Sequence, residues 1–128
     1  MSIAGMIFHE YGARAATAVQ ELKPAIAAAS TDGAAAIRHA TAGELSTYFL
    51  AGAGNRETNM ILGPAFASRQ GGTIGRLFHG TESGTQARQA ADFISTGIDA
   101  MRNRNVTGAT QAWTQATGLL NDIAARLA

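Results

Sequence analysis

The chain lacks cysteine altogether, so disulfides, thiolate zinc sites and cysteine nucleophiles are excluded at the outset. Charge is also scarce: 15% of the 128 residues are charged, and the net charge is only +1. Residues 1–64 carry four basic and five acidic groups, and residues 65–128 carry six and four. A protein that grips nucleic acid by neutralising phosphates shows a larger, clustered excess. Aromatics make up 6% of the chain, prolines number two, and Val19 and Val106 are the only valines. So little β-branched and aromatic content disfavours a β-rich fold. No long hydrophobic run is present either. The longest uncharged stretch, 105–121, is full of Thr, Gln and Gly, so no membrane span is expected. Residues 1–8 are apolar but lack a basic leading region and run straight into His9 and Glu10. No signal peptide is read there, and synthesis in the cytoplasm is expected.

What the chain does have is alanine. Hydrophobic residues make up 46% of the sequence, but 28 of them are Ala. Leu, Ile, Val and Phe together number 24. Low net charge separates this composition from that of a disordered chain. The expected product is one all-α domain over 1–128, a small alanine-rich bundle of about four main helices. Its parts are a helical portion at 1–52, an irregular middle at 53–83 with a glycine-rich loop near 71–83, and a helical hairpin at 84–128.

Helical periodicity supports this division. Phe8, Tyr11, Ala15, Ala18, Leu22 and Ala25 recur at spacings of three and four. Pro24 lies inside that pattern and either kinks the helix or begins a second one. After Thr31-Asp32-Gly33, either Thr31 or Asp32 serves as the next cap. A second stripe then reads Ile37, Thr41, Leu45, Tyr48 and Phe49. The middle is punctuated by glycine, with Arg76-Leu77-Phe78-His79 as an apolar-basic island. Ser83-Gly84-Thr85-Gln86 fits a capping box. Beyond it, Ala87, Ala90, Ile94, Gly97 and Met101 form one buried stripe. Val106, Ala109, Trp113, Ala116, Leu120, Ile123 and Leu127 form another, alternating three and four without a break. Large residues alternate with Ala or Gly on these stripes, which lets backbones approach closely. Substituting alanine for leucine removes burial energy, about 0.8 kcal/mol per methylene. Packing against copies of the chain or against a partner would restore it; the alternative is a compact alanine-rich four-helix monomer, stable without help.

Catalytic and metal-binding constellations are absent from the spacing. No Glu has His three residues later, the pairing that puts both ligands on one helix face. His9 and Glu10 are adjacent and point about 100° apart around a helix. His39 and Glu44 are five apart, which is no better. No serine sits in a Gly-x-Ser-x-Gly elbow. The glycine clusters at 52–57 and 71–76 lack both the Walker lysine and a preceding strand. No catalytic residue, cofactor or metal is therefore expected. Arg69, Arg76, His79 and Arg88, with Phe78 among them, make a modest basic patch that weakly supports nucleic-acid binding.

In fold class and size alone the chain resembles the small helical structural proteins of phage particles: connector, adaptor or internal virion proteins. That resemblance implies a non-enzymatic assembly subunit repeated in a larger complex, whose partners are copies of itself and other protein subunits. The interface residues expected are Ile3, Met6, Ile7, Phe8, Arg76, Leu77, Phe78 and Trp113. The alternative is a helical adaptor or regulator that binds one protein partner in a groove beside Trp113. A ligand-binding or enzymatic bundle using His39, Glu44 or His79 ranks third.

Overall fold

A computed structural model of the chain describes residues 3–51 and 77–128. Four helices account for most of them: α1 (Ile3–Ala28), α2 (Gly33–Ala51), α3 (Glu82–Arg102) and α4 (Val106–Arg126). No strand occurs among the described residues. None of these helices is long and apolar enough to cross a membrane.

Local chemistry explains where each helix starts and stops. Helix α1 runs unbroken through Pro24, which sits near its C-terminal end. Thr31 closes it, its backbone N–H donating to the Ala28 carbonyl at 3.0 Å. Asp32 opens α2 by accepting from the Ala35 N–H at 3.1 Å, so Asp32 is the side-chain cap. The start of α3 lies two residues before the expected one. Thr81 is the N-cap, accepting from the Gly84 N–H at 3.1 Å, and Ser83 is already helical and buried. The island partly joins this order, since residues 77–79 are helical. Residues 71–76 of the expected loop lie outside the described residues.

Only three residues join α3 to α4. Asn105 N–H reaches the Ala100 carbonyl at 2.8 Å, and Arg104 N–H reaches that of Met101 at 2.9 Å. This is a Schellman closure, with Arg104 in the left-handed region at φ 59° where glycine is usual. Asn105 then caps α4, accepting from the Gly108 N–H at 2.9 Å.

The helices form a square in which α1 packs on α2 and α4, and α3 packs on α2 and α4. All four neighbouring pairs are antiparallel. Short turns impose this on α1–α2 and α3–α4. Gly33 at the start of α2 faces Met101 at the end of α3, and Gly12 early in α1 faces Leu127 just beyond α4. One end of the bundle therefore gathers the start of α1, the end of α2, the start of α3 and the end of α4.

Three of the four expected stripes face the core. Tyr11, Ala15, Ala18, Leu22 and Ala25 of α1 are buried, as are Ala87, Ala90, Ile94, Gly97 and Met101 of α3. On α4 the buried set is Ala109, Trp113, Ala116, Leu120 and Ile123. The stripe read on α2 is corrected. Of its residues, Tyr48 is buried and Ile37 packs half-buried against the core, but Thr41 is exposed and Leu45 is 44% exposed, and Ala36, Ala40, Gly43, Thr47 and Leu50 are the other inward residues. At Gly43 the small face lies close against α1. A Cβ placed on Gly43 would stand 3.4 Å from Leu22 Cδ2 and 3.5 Å from the Ala18 carbonyl oxygen. Thr47 is tolerated inside because its hydroxyl donates to the Gly43 carbonyl at 2.8 Å.

Candidate functional site

Among the described residues, two of the three exposed large hydrophobics, Met6 and Leu77, lie at the end where α1 and α3 begin. Phe78, on the short 77–79 turn, is driven into the core and is only 1% exposed. Its ring stands 4.5 Å from that of Tyr11, edge to face, and 6.1 Å from that of Phe8. Phe8 and Tyr11 are themselves 5.9 Å apart, so three rings close this end. The turn is held down through Thr81, whose N–H donates to the Phe78 carbonyl at 3.0 Å.

Glycine at 84 is what allows the turn to sit there. A Cβ at that position would fall 2.1 Å from the Phe78 carbonyl oxygen and 2.7 Å from His79 Cα. Both are backbone atoms, so neither can rotate away. Arg126 braces the same end across the hairpin. It donates to Ser83 Oγ and Gln86 Oε1, both at 2.7 Å, and lies 3.7 Å from Glu82. Beside the turn, Arg88 Nη1 approaches His79 Nδ1 at 3.3 Å.

The expected interface residues fall into three groups. Met6 and Leu77 stand out from this end, 58% and 57% exposed, with Ile7 and Phe8 half-buried against the core. Phe78 and Trp113 are interior, which removes them from the surface read from the sequence. Trp113 has no exposed area, and its Nε1–H donates to the Ile94 carbonyl at 3.2 Å. It is inside because Gly97 offers no side chain opposite, leaving a slot that the indole fills. The Ile3 side chain and Arg76 lie outside the described residues. Leu45 is a surface residue that the sequence reading placed inside. It lies in the half of α2 nearest the same end, and the small-residue face opposite it was the signal that could have shown this.

The histidines do not converge. His9 is exposed, His39 lies 3.8 Å from Glu21 across the α1–α2 seam, and His79 meets Arg88. Among the described residues, no three metal-ligating side chains come together. Trp113 is interior and lines no groove on the α3–α4 hairpin; a separate groove is found there. It is open and lined by Gln89, Phe93, Gln115, Gly118, Leu119 and Asp122. Comparison with protein-family models, curated proteins and solved structures finds no match.

Proposed function

We propose that the chain is a non-enzymatic assembly subunit that associates with copies of itself through the end of the bundle closed by Phe8, Tyr11 and Phe78. The observation that carries this reading is the placement of its exposed large hydrophobics. Met6 and Leu77 flank the aromatic closure, and Leu45 lies in the adjoining half of α2. Single exposed apolar residues are ordinary on a monomer, but a set gathered at one end is what an interface uses. The alanine core gives a reason to associate: it buries less apolar area per residue than a leucine core, and a neighbour adds burial. A particle component, of the kind the phage resemblance implies, is the natural setting for such a subunit.

Light scattering across a dilution series tests this. The expected result is a mass that falls on dilution, and a fall in the mass at high concentration when Met6→Asp and Leu77→Asp are combined. Helical circular dichroism should stay unchanged, because both side chains already face water. A monomer at every concentration overturns the reading.

The hairpin groove favours a second reading, an adaptor for one partner helix. Gly118 has nothing within 4 Å of where its Cβ would be, so a backbone could approach closely between Phe93 and Leu119. Gly118→Phe would then abolish partner binding and leave self-association intact.

A further inference from the structure

The turn carrying Phe78 also carries a histidine whose surroundings suit only its neutral form. His79 Nδ1 lies 3.3 Å from Arg88 Nη1, and a guanidinium has only donors to offer. Nδ1 is therefore the acceptor, and the ring proton resides on Nε2. Nε2 is buried and has no hydrogen-bond partner among the described residues. A second proton would place a cationic ring against a cationic guanidinium, with one N–H still unsatisfied.

No compensating anion is in place: among the described residues His79 has no ion-pair partner. Glu82 on α3 faces Arg126 of α4 at 3.7 Å. On α1 the turn meets Phe8 and Tyr11, while Glu10 pairs with Arg14 at 3.4 Å and His9 is exposed. Burial first, and the Arg88 charge second, hold the His79 pKa below its ordinary 6.5.

We propose that the 77–80 turn is an acid-released plug: protonation of His79 drives the turn off Arg88, withdraws Phe78 from Phe8 and Tyr11, and uncovers the end of the bundle. This goes beyond the assembly role and stands whether or not the chain associates. The released ring regains an ordinary pKa and so binds more protons than the docked one below about pH 6.5. Docking is at its most favourable above that value and weakens as pH falls through it, by up to tenfold per unit. For one such group the ceiling between pH 7.5 and 5.0 is about thirtyfold in the ratio of released to docked turn.

Proton NMR of the full chain across that range tests it. Phe78 ring resonances, displaced at pH 7.5 by the neighbouring rings, should move toward free-phenylalanine positions by pH 5.0. The Trp113 indole N–H, bonded to Ile94 deep in the hairpin, should stay in place and show that the rest of the bundle is intact. In His79→Gln, Phe78 should remain docked at pH 5.0. The proposal is overturned if Phe78 does not move, moves equally in His79→Gln, or moves only together with the Trp113 indole.

Discussion

The two hairpins of this bundle solve the same packing problem in opposite ways. In α3–α4, one very large side chain enters a slot left by one missing side chain, Trp113 over Gly97. In α1–α2, the α2 face is small along most of its length, Ala36, Ala40, Gly43 and Thr47, and it receives Leu22 from α1. The first seam depends on fitting a single shape. The second depends on a close approach along the helix. A glycine is indispensable in one and replaceable in the other, although both are buried.

The largest test of this difference is at the tryptophan. Trp113→Ala should lower unfolding free energy by about 3–5 kcal/mol in chemical denaturation, since a fully buried indole and its hydrogen bond are lost together. Gly97→Ala should cost about 1–3 kcal/mol, because the new Cβ would lie 2.2 Å from Trp113 Nε1 and the ring has no room to retreat. The double variant sharpens the point. With the indole gone, the alanine at 97 should become neutral or stabilising, by up to about 1 kcal/mol from helix propensity. Additive losses would mean that the slot is not what makes this glycine necessary.

In the other hairpin the contrast lies between two positions on α2. Ala40→Leu should destabilise by about 1–3 kcal/mol through overpacking, although it makes the helix more hydrophobic. Leu45→Gln should cost no more than about 0.5 kcal/mol, because the side chain it replaces is already at the surface. Thermal melts in which Leu45 proved the costlier of the two would restore the stripe read from the sequence and break the comparison.

The effect of opposite sign should be at Gly43. A Cβ there would meet Leu22 at 3.4 Å, an ordinary contact distance, so Gly43→Ala should stabilise by a few tenths to about 1 kcal/mol. Its sign, opposite to that of Gly97→Ala, is the measurement that separates the two seams.

How much was legible follows the same division. On α1, α3 and α4 the inward face carries the large residues, so periodicity found it. On α2 small residues fill much of the seam, so a search for hydrophobic spacing finds Tyr48 but also selects the exposed Thr41 and Leu45 and misses Ala36, Ala40 and Gly43. At the candidate site, Met6 and Leu77 were legible as apolar residues near the surface. Phe78 was not legible as interior, because nothing local distinguishes an anchor that points inward from one that points outward. Its burial depends on Tyr11 and Phe8, some seventy residues earlier, and on the missing Cβ at Gly84.

The sequence by itself determined the helical class, a cap at Thr31 or Asp32 for the second helix, and three of the four buried faces. These follow from propensity, local hydrogen bonding and spacing, all of which act within a few residues. Only the tertiary structure decided which residues of α2 turn inward, that Phe78 is core and not contact, and that His79 stands against Arg88 with its other nitrogen buried. Each of these depends on the distance between helices, and that distance is set jointly by side chains on both of them.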